Sequence, residues 1–381
     1  MPIFYSAYLD VVRCLAAMAV LLEHFSLPRL TGGHFELVGR LGHEAVIVFF
    51  VLSGYVISYT VDKNAPSASR FLGERIARLW SALLPALALG ITLDLYGQTI
   101  NPGLYLGKSV TDMLWIRLGL AITFLNESVL AGSKFGTNGP LWSLSYEFFY
   151  YVFFALHISR LKKSTKIQLL LALTIIAGPK IILMAPIWLM GVAIHKAHSI
   201  FPTFNRMSAL GIFFVSLASL FLIKNSAVLG HIHHTLHPQL TALGVNNLRF
   251  SNNFVFDFGL GLVFSFHIFS ARYLAQAKNN LELTSPRSKH ARMTARQLGD
   301  FTFPIYVFHV PLLYFIPAVL NLDNKNVTHN VTLLFLVMLS IAILAPATNM
   351  LHKFLLFIGS FTISEKTKRT VKGRTREPAQ S

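Results

Sequence analysis

Charge is what this sequence has least of. Only 13% of its 381 residues are Asp, Glu, Lys or Arg, while 54% are hydrophobic. Soluble domains carry about 25% charged residues. A chain this poor in charge lacks the polar surface that water demands, and lipid is its natural solvent. Acid is scarcer than base: 16 carboxylates stand against 33 Lys and Arg, a formal net charge of +17. Cysteine occurs once, as Cys14, so no intrachain disulfide can form and no disulfide-stapled extracytoplasmic domain is implied. A basic leader region and a small-residue cleavage site are both missing at the N-terminus, so no cleaved signal peptide is expected. Gly-x-Ser-x-Gly, the Walker loop and His-Glu-x-x-His are absent too, which removes the usual signatures of α/β-hydrolases, P-loop enzymes and zinc proteases.

What is present is a series of long apolar runs. Ten segments stand out, near 8–27, 43–61, 76–96, 141–159, 166–178, 181–196, 207–223, 254–275, 302–320 and 332–358. They are continuously apolar rather than alternating, and in lipid each segment must close its own backbone hydrogen bonds. The expected fold is therefore all-α: a polytopic transmembrane helix bundle of about ten spans, at roughly 20 residues each. The pair at 166–178 and 181–196, separated by Gly178, Pro179 and Lys180, reads equally as two tilted helices or as a re-entrant pair.

Basic residues concentrate on the cytoplasmic side of membrane proteins. Of the 33 Lys and Arg, 23 fall in alternate loops and the C-terminal stretch, 9 in the opposite loops, and Arg13 within a span. This bias predicts both termini in the cytoplasm and accounts for the positive charge without nucleic acid. Residues 1–360 read as one membrane domain, and 361–381 as a basic cytoplasmic tail expected to be disordered.

Ionisable groups inside apolar helices are expensive, and each is a functional candidate. The first helix holds Asp10, Arg13, Glu23 and His24. Asp10 and Arg13, three apart, can pair on one face. Arg13 and His24, eleven apart, return to nearly the same face about 16 Å apart along the axis. That spacing alone is equally compatible with a structural ion pair and an interfacial histidine. Arg75 and Arg78 share a face near the cytoplasmic start of the third helix, where paired guanidiniums suit phosphate, although positive-inside topology also explains them. In NGPLWSLSYEFFYY, the turn at Asn138–Pro140 leads to Trp142, read as an interfacial indole, then Ser143 and Glu147. Glu147 is expected at the depth of His24, and a carboxylate beside an imidazole makes a workable general-base pair. Tyr306 and His309, three apart, are expected in the inner half of the membrane, lining a pocket or bonding within the bundle. Of the histidines in HIHHTLHP, His233 and His237 have a helical ligand spacing. With no Cys, Asp or Glu in that loop they read as solvated histidines, and no metal is expected.

Together these residues resemble the acyltransferase-3 family of integral membrane acyltransferases over nearly the whole chain. The resemblance is carried, in order, by Arg-x10-His at Arg13 and His24, by FFVLSGYVIS with Ser53 and Gly54, and by Arg-x-x-Arg at Arg75 and Arg78. Trp-Ser-Leu-x-x-Glu follows at Trp142 to Glu147, and Tyr-x-x-His at Tyr306 and His309. It implies an O-acetyltransferase in a bacterial inner (cytoplasmic) membrane. Such an enzyme takes acetyl from cytoplasmic acetyl-CoA to a hydroxyl of a surface polysaccharide, such as lipopolysaccharide, or of a lipid-linked glycan. His24 would be the base and Glu147 would orient its ring. Arg13, Arg75 and Arg78 would hold the donor, supported by Asp10, Ser53, Trp142, Ser143, Tyr306 and His309. An acyl-histidine intermediate is a second route. A secondary transporter is the main alternative, though no matching halves with broken helices are evident; a non-catalytic sensor is a third. Acceptor identity, acyl length and oligomeric state stay open.

Overall fold

A computed structural model describes residues 1, 3–108, 110–129, 132–201, 203–223, 226–242, 248–282 and 286–374. Twelve α-helices follow one another: α1 Ile3–Phe25, α2 Pro28–Thr31, α3 Gly42–Asn64, α4 Ala68–Ile100, α5 Leu114–Ile122, α6 Trp142–Ile158, α7 Lys163–Ile200, α8 Arg206–Leu222, α9 Ala227–Ala242, α10 Phe254–Glu282, α11 Pro286–Leu320 and α12 Val327–Arg374. Among the described residues there is no named strand, and the fold is the expected all-α polytopic bundle. Seven of the helices are long and apolar enough to cross a membrane. Residues 375–381 of the expected tail lie outside the described residues.

Burial grades the helices from centre to rim. In α11 72% of the apolar window is buried inside the bundle, against 28% in α7 and in α12. The rim helices instead expose Ile175, Phe335, Ile343 and Phe354, side chains that only lipid would solvate. Around α11 pack α1, α4 and α12, while α3 lies against α1 and α7.

The contact of α3 with α7 is made backbone to backbone. A Cβ on Gly54 would lie 2.0 Å from the Trp188 carbonyl oxygen, and one on Gly191 would lie 2.0 Å from that of Val51. Small residues allow this approach, the usual route to close helix packing in lipid, where hydrophobicity supplies no attraction between helices.

The two segments at 166–178 and 181–196 are the limbs of α7, which breaks at Gly178 with φ 75° and ψ 174°. Only glycine adopts this conformation freely, and Pro179 then starts the second limb without needing its missing N–H. The limbs fold back on each other. Lys166 donates to His157 at the end of α6, Ile176 accepts from Val129 at the opposite end of the bundle, and His195 returns to Asp62 near the end of α3.

Three prolines interrupt α11, at 304, 311 and 317. Pro311 cannot donate to the carbonyl four residues earlier. That carbonyl, on Val307, accepts instead from the Asn138 side-chain amide at 2.9 Å. The turn before α6 is thus fastened to the middle of α11. The same turn buries Trp142, which is 6% exposed and stacks on Phe250 with ring centroids 4.4 Å apart. The indole expected to face an interface is instead covered by protein, with Phe250 lying over the start of α6.

Candidate active site

A cavity of about 240 Å³ opens between α1, α3, α4, α6 and α11. Arg13, Arg75 and Arg78 line it together with Ser53, Ser143, Glu147, Tyr151, Phe303 and Tyr306. Most of the residues singled out in the sequence therefore meet at one place, although they come from five helices.

The three arginines are held in different ways. Arg13 Nη1 lies 3.5 Å from Asp10 Oδ1, the pair that their spacing on α1 allows. Arg75 lies beside the Phe71 ring at 5.9 Å and Arg78 beside the Phe303 ring at 5.3 Å. The Arg75 Nε is buried and has no hydrogen-bond partner among the described residues. Leaving such a donor unpaired is costly, and an anionic group in the cavity would satisfy it.

Glu147 stands on the second turn of α6. Its Oε1 accepts from Ser53 Oγ at 2.9 Å and from the hydroxyl of Tyr151, one turn further along α6. The Trp188 indole N–H donates to Ser53 Oγ at 3.2 Å. Tyr151 and Trp188 were not singled out in the sequence. The spacing of four between Glu147 and Tyr151 offers a local signal for the first, but nothing local points to the second.

Tyr306 closes one wall. Its hydroxyl lies 2.9 Å from the Pro140 carbonyl oxygen and 2.6 Å from Ser143 Oγ. A carbonyl only accepts, so the phenol donates to Pro140 and Ser143 donates to the phenol. Beyond the ring of Tyr306, 6.4 Å between centroids, lies the imidazole of His309.

His309 faces His24, with ring centroids 5.0 Å apart. His24 Nδ1 is 2.9 Å from the Val20 carbonyl oxygen, and His309 Nδ1 is 2.9 Å from that of Ile305. Each Nδ1 must therefore carry the hydrogen. His309 Nε2 is left with a lone pair directed at His24 Nδ1, 3.4 Å away. His24 Nε2 carries the other lone pair and has no hydrogen-bond partner among the described residues.

Two expectations are corrected by this geometry. Glu147 does not bond to His24: Ser53, which holds it, lies halfway along α3, whereas His24 occupies the last turn of α1. The residue beside His24 is His309, so the two do not lie in opposite halves of the membrane as expected. Because α11 begins at Pro286 rather than near 302, His309 lies about 35 Å along it at 1.5 Å per residue.

The histidine-rich stretch lies on α9, not in a loop. His233 and His237 are 5.4 Å apart between ring centroids, and His237 bonds to Asn252 at 2.7 Å.

An all-α bundle with arginines, a carboxylate and hydroxyls around an internal cavity, and an imidazole pair behind one wall, defines a class of membrane protein with a polar chamber built into its helices. The chain belongs to the acyltransferase-3 family, whose model, described as an acyltransferase domain, matches residues 6–348. It is 31% identical over 166 residues to an O-acetyl transferase of Shigella phage Sf6, covering 40% of this chain and 46% of that protein. It is also 31% identical over 158 residues to the acyltransferase MdmB of Streptomyces mycarofaciens, covering 40% of this chain and 39% of that protein. The matched stretch spans less than half the length of each of these relatives. No solved structure matches this chain.

Proposed function

We propose that this protein is a membrane O-acyltransferase that moves an acyl group, acetyl in the first instance, from cytoplasmic acyl-CoA to a hydroxyl of an extracytoplasmic or lipid-linked glycan. The observation that carries the reading is the pairing of an arginine-lined cavity with a tautomer-fixed imidazole behind its Tyr306 wall. The family membership and the names of the two relatives support it.

In this reading Arg75 and Arg78 face the cytoplasm and bind the phosphates of CoA, which charge-assisted hydrogen bonds from planar guanidiniums suit. Arg13 and the Ser53–Glu147–Tyr151 set line the path of the acyl-bearing arm. The acceptor hydroxyl attacks the thioester carbonyl as His24 Nε2 takes its proton. A C–O bond forms, the C–S bond breaks, and the proton passes from His24 to the departing thiolate. His309 positions the base. Its lone pair faces the Nδ1–H of His24 and stabilises the ring as it gains charge, the part first assigned to Glu147.

The test is transfer of labelled acetyl from acetyl-CoA by purified protein in nanodiscs, joined to mass spectrometry of surface glycans from cells with and without the gene. The proposal expects an acetyl-sized mass difference that His24→Ala abolishes while membrane insertion persists. Labelled-substrate flux in proteoliposomes with no acyl transfer would instead favour a transporter.

A further inference from the structure

On the side of the bundle where α4 ends lies a second cavity, of about 570 Å³, lined in part by Gln98, Tyr105, Lys108, Arg117 and Lys134. Three of these are basic. The one acid in the wall, Asp112, pairs with Arg117 at 2.5 Å. Lys108 and Lys134 have no ion-pair or hydrogen-bond partner for their ammonium groups among the described residues. Lys108 Nζ sits 5.8 Å from the centroid of the Tyr314 ring, and Lys134 Nζ sits 5.7 Å from that of Phe250.

Two further observations bear on this wall. Tyr105 is 3% exposed, and its hydroxyl, packed against Gly97 of α4, has no hydrogen-bond partner among the described residues. Burial and the nearby charges of Lys134 and Arg29 push the half-buried Lys108 below the usual lysine range, against the pull of Asp94. Cations gathered in this way repel one another, and an anion between them removes the repulsion.

The cavity is also beside the chemistry. Tyr314, beneath Lys108, stands five residues beyond His309 on α11, about 7.5 Å along the helix axis.

We propose that this cavity is the acceptor site, and that Lys108 and Lys134 select an acceptor carrying a phosphate or carboxylate close to the hydroxyl to be acylated. The inference rests on the acyltransferase reading and deepens it: arginines hold the anionic donor in one cavity, and lysines hold an anionic acceptor in the other. A neutral glycan would leave the lysines uncompensated.

The experiment uses the full chain in phosphatidylcholine nanodiscs, with acetyl-CoA saturating the arginine cavity. Inorganic pyrophosphate and glucuronate are the two probes, titrated by calorimetry. Wild-type protein should bind one of them saturably, and Lys108→Ala with Lys134→Ala should weaken that binding about tenfold or more, as expected for charge-assisted contacts. The affinity for acetyl-CoA should not change in the same variant, which also reports that it is folded. Preference for pyrophosphate assigns a phosphate-bearing acceptor, and preference for glucuronate a carboxylate-bearing one. The proposal is overturned if neither probe binds, if the double variant binds as well as wild type, or if phosphatidylglycerol in the discs displaces the probe, which would make the site one for lipid headgroups. His24→Ala separates the two readings. It should keep probe binding and lose transfer; transfer that survives His24→Ala sinks the base assignment and leaves the anion site standing.

Discussion

His309 Nε2 faces His24 Nδ1 at 3.4 Å, and the carbonyls of Val20 and Ile305 determine which nitrogen of each ring carries the hydrogen. One imidazole thus supports another through a neutral lone pair, leaving Nε2 of His24 as the basic atom. Removing the support should slow the reaction without touching the donor. His309→Ala is expected to lower kcat roughly 10-fold to 100-fold, part of the 10²–10⁴ that a positioned base contributes, with KM for acetyl-CoA unchanged. His309→Gln, whose amide oxygen can take the place of Nε2, should recover part of the loss. Equal KM and kcat effects in both variants would show that the residue serves packing alone.

Arg75 and Arg78 should behave oppositely. Each charge-assisted hydrogen bond contributes about 1.5–3 kcal/mol, so Arg75→Ala or Arg78→Ala should raise the Kd for acetyl-CoA about tenfold or more. Lysine should not substitute fully, because a single ammonium lacks the planar fork. Direct titration of CoA against each variant settles it.

Tyr306→Phe keeps the ring and removes the hydroxyl that joins Ser143 to the Pro140 carbonyl. Two buried polar groups lose a partner, at about 1–3 kcal/mol for each group left unsatisfied. The expected result is a lower Tm in detergent together with slower transfer. An unchanged Tm would mean that the turn before α6 is held by Asn138 alone.

Gly54→Ala should be among the most damaging small substitutions, since its methyl would meet the Trp188 carbonyl at 2.0 Å. Overpacking typically costs about 1–3 kcal/mol, and here the obstacle is backbone. Thermal denaturation should show the loss, whereas Gly211→Ala on α8, where a Cβ meets nothing within 4 Å, should leave Tm near wild type.

Anion binding in the lysine-lined cavity should weaken as pH rises, because a lysine is charged only below its pKa. Lys108 is held below the ordinary value of about 10.4. Binding should therefore be complete at neutral pH and fall at a lower alkaline pH than an exposed lysine would give. Asp94, Tyr105, Tyr314, Arg29 and Lys134 are the titratable neighbours of Lys108. Lys134→Ala removes one repelling cation, so the midpoint should move upward. A pH titration of probe binding in wild type and this variant reads the shift, and a midpoint unmoved by Lys134→Ala would argue against coupling of the two lysines.

Several of these relationships were already visible along the chain. Scarcity of charge excluded water as solvent, and unbroken apolar runs left only helices, because lipid offers backbone groups no other partner. Asp10–Arg13 and Glu147–Tyr151 follow from helical periodicity, since one turn brings three- and four-residue neighbours together. The motif residues Arg13, Ser53, Arg75, Arg78, Ser143, Glu147 and Tyr306 could be picked out one by one, each costly or unusual in an apolar setting. What local pattern cannot carry is the pairing of residues from different helices at the same depth. Depth depends on where helices begin and how loops fold over their ends. The packing of α1 along α11, which sets Asp10 beside Gly299 and His24 beside His309, and the bond from Ser53 to Glu147 decided that His24 meets His309 and not Glu147. Lys108, unremarkable in sequence, comes to lie over the Tyr314 ring only because the chain that follows α4 returns to α11, a contact between distant segments that no local periodicity encodes.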